Sequence, residues 1–263
     1  MKILVTGSAG FIGRHVVREL EVGGHDVIGL DRRDKDSPLD LATVNLSQFP
    51  CEVIIHLAAT SEVRTCEKYP AENWNQNVLL TQKVARYAEK TGLRLVFASS
   101  ASVYGDHDGP AREDSPTRPI GNYGLAKLLS EQLVRARVAD HSILRYFNVH
   151  GPGQTRGLHA LLKKARERFT IHGDGRQTRD FVAVREVARI TALAATEGLA
   201  GTYNLCSGEA TTILDVVRGH PELCLDFAPP PEEDIQHSLG SREKLDTALA
   251  HLACQKIRIA SSL

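Results

Sequence analysis

Five short apolar runs punctuate the first 150 positions of the chain: KILVT (2–6), HDVIGLD (25–31), EVIIHLAA (52–59), LRLVFASS (93–100) and HSILRYFNV (141–149). Most are continuously apolar rather than alternating, the pattern of strands covered on both faces in a parallel sheet. Between them, helical spacing of apolar positions predicts helices at about 11–22, 72–91 and 121–139. Strand, helix, strand alternation with right-handed crossovers gives a doubly wound, Rossmann-like α/β fold. After residue 150 the pattern loosens, with glycines at 151, 153, 157, 173 and 175 and a triple proline at 229–231. The expected organisation is a main domain over 1–148, to which 179–204 returns, and a small C-terminal lobe over 149–263.

Composition acts mainly by exclusion. Lys plus Arg equals Asp plus Glu at 32 each, so no net field advertises nucleic acid or a membrane surface, and a charged ligand must be held locally. The five cysteines are odd in number and lack any C-x-x-C pair, which argues against a disulfide framework and a zinc site. His107, His150, His159 and His172 show no metal-ligand spacing, and no metal is expected. The N-terminus becomes glycine-rich within a few residues and holds no long apolar run, so a soluble, cytoplasmic protein is expected. The cluster KKARER (163–168) reads as the solvated face of a helix.

The first stretch that carries chemistry is VTGSAGFIG, residues 5–13. Gly7, Gly10 and Gly13 follow a strand and open a helix whose apolar face includes Phe11 and Ile12. Glycines let the backbone turn tightly and approach a pyrophosphate, which then rests on the free N–H groups and positive end of the helix dipole. The next strand ends in Asp31, 18 positions after Gly13, where a carboxylate can accept both ribose hydroxyls of an adenosine. Asp31 would repel a 2′-phosphate, which favours NAD over NADP, although Arg32 and Arg33 partly offset that repulsion. The competing reading is a purely structural glycine turn.

The second is NYGLAK (122–127), which sets Tyr123 and Lys127 four positions apart on a predicted helix. Residues i and i+4 share a face, so an ammonium at Lys127 can lie near the phenol. A free tyrosine titrates near ~10, and a neighbouring cation together with an oxidised nicotinamide ring would favour the phenolate and make it a base. Ser100, at the C-terminal end of a parallel strand, is placed to hydrogen-bond the same substrate oxygen. Taken alone, the Tyr and Lys spacing occurs by chance on many helix surfaces.

The G-x-x-G-x-x-G spacing, HLAA (56–59), NV (77–78), SSASVYG (99–105), YGLAK (123–127), RYFNVHGPGQ (145–154) and GDGRQTRDFV (173–182) together resemble the extended short-chain dehydrogenase/reductases, specifically the nucleotide-sugar epimerase/dehydratase family, with a UDP-sugar 4-epimerase flavour. The likeness covers about the first 210 residues in order. It implies a bound NAD and a nucleoside-diphosphate sugar in a cleft, with Tyr123 as base, Lys127 on the nicotinamide ribose, and inversion at C4 through a transient 4-keto sugar. It also implies cofactor contacts from Asp40 and Leu41 at the adenine, from Leu57, Ala58 and Ala59, and from Tyr146 and Phe147, with Asn77 on the cofactor side tying down the loop that carries the nicotinamide. Asn148 and Arg179 would hold the diphosphate, and Arg64 would meet a uronate carboxylate if the sugar is glucuronate rather than glucose. A homodimer is implied in the same way. Plainer readings make Arg179 an ion-pair partner of Asp180, Asn77 a polar helix-face residue, and Arg64 a rim salt bridge.

Departures from the family pattern narrow the choice. Where dehydratases carry an Asp-Glu pair after the strand-end hydroxyl, this chain has Ala101 and Ser102, so 4,6-dehydration is not expected. A 4-ketoreductase using the same Ser, Tyr and Lys is the alternative enzyme, and a non-catalytic dinucleotide sensor the alternative outside catalysis. Only eight residues separate Asp31 from Asp40, which predicts a trimmed sheet edge. The late motif that supplies an arginine to the diphosphate reads PPPEEDIQHS (229–238), with Pro231 at the arginine position, so one phosphate anchor is missing.

Overall fold

The computed structural model describes residues 1–231 and 234–261, with side chains through 254. Six parallel strands form the main sheet: β1 (Lys2–Thr6), β2 (Asp26–Leu30), β3 (Val53–His56), β4 (Arg94–Ser100), β5 (His141–Tyr146) and β9 (Gly201–Leu205), in the order β2-β1-β3-β4-β5-β9. The apolar runs explain its burial. Ile3, Val5, Val53, Ile55, Val96 and Leu144 point to one face, and Leu4, Ile54, Leu95, Phe97 and Ile143 to the other, because side chains alternate along a strand. The first face is covered by α1 (Phe11–Val22) and α7 (Val184–Thr196), through Val16, Leu20, Val187 and Ile190. Leu80, Val84 and Val134, from α4 (Leu80–Thr91) and α5 (Gly121–Arg137), cover the second. The sheet is thus doubly wound and Rossmann-like, and among the described residues no strand lies beyond β2 on that edge.

Two predicted elements are interrupted. The run 141–149 bends at Phe147, whose N–H bonds to Leu205 O, and its end becomes β6 (Asn148–His150), which belongs to a separate three-stranded sheet with β8 (Thr178–Ala183) and β10 (Ala210–Thr212). The predicted helix 72–91 is built from α3 (Pro70–Asn73), a π-helical turn Trp74–Leu79, and α4. A short helix before it, α2 (Val63–Lys68), has no clear sequence signal.

Beyond β6 lie α6 (Leu158–Lys164), β7 (Arg168–His172) paired with β11 (Cys224–Ala228), and α8 (Ile213–Arg218). Leu162, Ile171, Val217 and Leu223 form their own small core. KKARER therefore spans the end of α6, a bend and the start of β7 rather than one helix face, though its charged residues are all exposed. The last helix, α9 (Glu243–Ser261), contacts β9. Among the described residues no helix is long and apolar enough to cross a membrane, and no group of three or more His, Cys, Asp or Glu could hold a metal ion.

Candidate active site

A cleft of about 1050 Å³ opens over the C-terminal ends of the strands. It begins at the switch point between β1 and β3, where chain order reverses and crevices form in such sheets. Gly7 adopts φ +75°, and a Cβ there would lie 2.7 Å from Ala58 N. A Cβ on Gly13 would lie 2.1 Å from Gly7 O. The N-cap of α1, Gly10, offers no side-chain cap, and the first turn holds no acid, so the helix start presents its leading N–H groups and the positive end of its dipole to the cleft. Buried Asp31 accepts from Ala9 N at 3.1 Å and from Arg33 N at 2.8 Å. Its carboxylate is thus locked beside the glycine turn with lone pairs left over. Phe11, Ile12, Arg32, Asp40, Leu41, Leu57, Ala58 and Ala59 line the same cleft. This cradle, shaped for backbone-to-phosphate approach and closed by a fixed carboxylate, fits a dinucleotide.

Ser100, Tyr123, Lys127, Tyr146, Phe147, Asn148 and Arg179 also line the cleft, drawn from β4, α5, β5, β6 and β8. Ser100 ends β4 and caps the 3₁₀ turn Ala101–Val103, accepting Ser102 N at 3.2 Å and donating to Ser102 Oγ at 3.1 Å. No carboxylate stands at that turn. Tyr123 and Lys127 are both buried. Burial pushes the phenol up to about 12, against the hydrogen bonding with Ser100 that pulls it down, and the buried Cys66 thiol pushes the same way as burial. Lys127 Nζ does not sit on the phenol. It donates to Ala98 O at 2.8 Å and lies 5.1 Å from the Phe97 ring centroid, and burial brings its ammonium down to about 8. The expected acidification of Tyr123 is therefore not a property of the chain alone. The i, i+4 spacing delivers both groups to the cleft, but the low-dielectric wall raises one and lowers the other.

Several of the groups that hold this arrangement carry no sequence signature. Glu67 of α2 accepts Asn122 N at 2.7 Å, Asn122 Nδ2 at 2.7 Å and Tyr123 N at 3.4 Å. It thereby caps α5, whose own N-cap Ile120 offers no side-chain bond. Four residues beyond Lys127, buried Glu131 pairs with Arg145 through Nε and Nη2, each at 2.9 Å, and accepts Ser99 Oγ at 2.6 Å. Burial alone would raise that carboxyl, but Arg145 outweighs it and holds it low. His56, pushed down to about 3 by burial and then by Lys127, bridges Thr6 Oγ1 and Thr81 Oγ1 as a neutral ring.

Two predicted contacts lie elsewhere. Asn77 is buried and outside the cleft lining: its side chain clamps Thr60 by accepting Thr60 N and donating to Thr60 O, both at 2.9 Å. It is neither a polar surface residue nor a wall of the cleft, and it acts by fixing the loop after β3. Arg64 is exposed, lies outside the cleft lining, and makes no ion pair among the described residues. The reason is helical phase: α2 buries Cys66 and turns Glu67 to α5, which leaves Arg64 and Lys68 outward. Glu62, Val63 and Thr65 line the cleft instead. Arg179 pairs with Asp234 at 2.6 Å, not with Asp180. Asp180 is fully buried and accepts Ser207 N, Gly208 N and Gly240 N.

Comparison with known proteins agrees with this geometry. The model of the NAD-dependent epimerase/dehydratase family matches residues 3–206. An uncharacterised UDP-glucose epimerase of Bacillus subtilis is 34% identical, with 82% of this chain and 80% of that protein covered. MoeE5, solved with UDP-glucuronic acid and NAD, superposes with a TM-score of 0.88 at 32% identity, covering 95% of this chain and 93% of the other. The UDP-glucuronic acid 4-epimerase of Bacillus cereus, solved with UDP-glucuronic acid and NAD, gives 0.86 at 28% identity, with coverage of 95% and 93%.

Proposed function

The chain belongs to the NAD-dependent epimerase/dehydratase family, and from that premise we propose that it inverts C4 of a nucleoside-diphosphate sugar with NAD as its resident cofactor. The observation that carries this reading is the burial of Ser100, Tyr123 and Lys127 in the cleft that also holds the glycine cradle, beside a strand-end turn bearing Ala101 and Ser102 in place of acids. Gly7, Gly10, Gly13 and Asp31 would hold the dinucleotide, and Lys127 its nicotinamide ribose. When bound, the cofactor would supply hydride acceptance from C4 and return to the opposite face of that carbon. Tyr123 Oη takes the C4 hydroxyl proton and returns it to the C4 oxygen as the configuration of that carbon inverts, with Ser100 Oγ hydrogen-bonded to the same oxygen. Since burial holds the phenol high, the phenolate must be made available by cofactor charge and by Lys127 drawn off Ala98 O toward the ribose. Asn148 and Arg179 would hold the diphosphate while the sugar turns.

UDP-sugars are the proposed substrate class. Hexose and hexuronate both belong to that class, because Glu62 and Arg156 line the cleft as an ion pair whereas Arg64 faces solvent. A cytoplasmic homodimer belongs to the same proposal; it is supported by the family resemblance, by five unpaired cysteines, and by Leu79 and Leu125 exposed on the adjoining α4 and α5 region. The test is incubation of purified protein with UDP-glucose, UDP-galactose and UDP-glucuronate without added NAD, products being read by NMR stereochemistry. Interconversion of C4 epimers is expected. In Tyr123→Phe it should fall by roughly 10²- to 10⁴-fold, the usual weight of a general acid-base. Turnover only with added reduced cofactor, or full activity in the phenylalanine variant, would refute the proposal.

A further inference from the structure

The diphosphate of a nucleotide sugar carries two negative charges, yet Pro231 occupies the position of one expected arginine, and Arg179 is already partly neutralised by Asp234 at 2.6 Å. Apart from Arg32, Arg33 and Lys127 on the cofactor side, the full cations lining the cleft among the described residues are Arg179 and Arg156. Arg156 lies in the loop between β6 and α6, and its Nη1 is 3.3 Å from Glu62 Oε2, which projects from the opposite wall after β3. Both side chains are largely solvated, at 67% and 46% exposure, so the pair is weak and easily exchanged. The backbone beneath is not loose. Arg14 Nη2 donates to Gly153 O at 2.6 Å, and Lys164 Nζ donates to Thr155 O at 2.9 Å. The same loop turns Gln154 Oε1 into the protein as a buried acceptor with no hydrogen-bond partner. A fixed loop that carries an exchangeable guanidinium into the cleft has the features of a ligand-binding loop.

Building on the nucleotide-sugar reading above, we infer that Arg156 is the second diphosphate anchor, resting on Glu62 across the rim and passing to a phosphate oxygen when substrate binds. Its guanidinium fork takes over the task of the missing arginine at 231, and Glu62 competes for it. This gives the two partners opposite effects. Titration of UDP, UDP-glucose and UDP-glucuronate into the NAD-bound protein by calorimetry should show Arg156→Gln weakening all three by roughly ten- to thirtyfold, the weight of one charge-assisted hydrogen bond. Glu62→Gln should tighten UDP by a few fold, the weight of the exposed pair it dissolves. Equal weakening by both variants would make the pair a structural strut and overturn the inference, as would no effect of Arg156→Gln. A loss confined to UDP-glucuronate would assign Arg156 to a sugar carboxylate and overturn it likewise. UDP binding without epimerisation would sink the proposed activity and leave Arg156 to be judged by the same titrations; a parent protein that binds no UDP would sink both.

Discussion

Lys127 is stored at a cost, and the cost can be measured. Burial brings its ammonium from 10.5 down to about 8, and at about 1.36 kcal/mol per tenfold change in proton affinity the charged form is disfavoured in the fold by about 3 kcal/mol. Below pH 8 folded and unfolded chains both hold this proton, so the folded state carries the full penalty. Between about 8 and 10.5 only the unfolded chain holds it, so stability rises with pH through that window. Lys127→Met keeps the shape of the stem and removes the charge, at the expense of the bond to Ala98 O, roughly 1 kcal/mol. The cofactor-stripped variant should therefore be about 2 kcal/mol more stable than the parent at pH 7. That advantage should shrink steadily from pH 8 upward and be gone by about pH 10, while turnover is lost. Urea midpoints at pH 7, 8, 9 and 10 measure it. Cofactor must be absent, because binding to the folded state adds its own stabilisation. A stability difference independent of pH, or a variant less stable at pH 7, would refute the burial argument.

Other perturbations test the supports. Glu131→Ala strands the Arg145 guanidinium in the interior and should cost about 3–5 kcal/mol in urea unfolding, with Glu131→Gln in between. Gly13→Ala puts a Cβ 2.1 Å from Gly7 O, where real Cβ atoms do not come within 3.0 Å; the purified variant should carry no NAD, as read by absorbance of the denatured supernatant, while keeping its helical circular dichroism. Glu67→Ala uncaps α5 and should cost about 1 kcal/mol and lower kcat, whereas Glu67→Gln, which can still accept both backbone N–H groups, should recover most of the stability.

What could be read from the sequence depends on whether function is written in local spacing or in contacts between distant segments. The glycine cradle, Asp31, Ser100, Tyr123 and Lys127 were legible because each belongs to a short pattern whose geometry follows from strand ends and helical turns. The doubly wound sheet was legible because Ile3, Val5 and Leu4 alternate between two buried faces. Arg64 was misplaced for want of a visible helix: α2 is six residues long, too short to show a period, so the phase that turns Arg64 outward had no signature. Asn77 touches no wall of the cleft but bonds Thr60 and Asn73, which holds the loop after β3 as the family likeness implies. The cap from Glu67 spans 55 positions of sequence, and the Arg156 pair joins two loops whose meeting depends on how the small lobe folds back.

The same distinction explains why the protonation state of the dyad could not be read from its spacing. Four residues apart on a helix fixes a shared face, not a shared dielectric. Tyr123 and Lys127 reach the cleft together, but Lys127 Nζ finds Ala98 O at 2.8 Å while burial lifts the phenol to about 12. Each neutral form is favoured separately, the phenol by desolvation of its anion and the amine by desolvation of its cation. An isolated chain is thus poorly set for proton abstraction at neutral pH. The two penalties share a physical remedy: a cationic ligand beside the phenol, and hydroxyl acceptors that draw the ammonium away from the strand carbonyl. Selectivity follows for the proposed reaction: Tyr123 becomes available as a phenolate only with cofactor and substrate beside it, and the 3₁₀ turn Ala101–Val103 supplies no carboxylate to take the proton in its place.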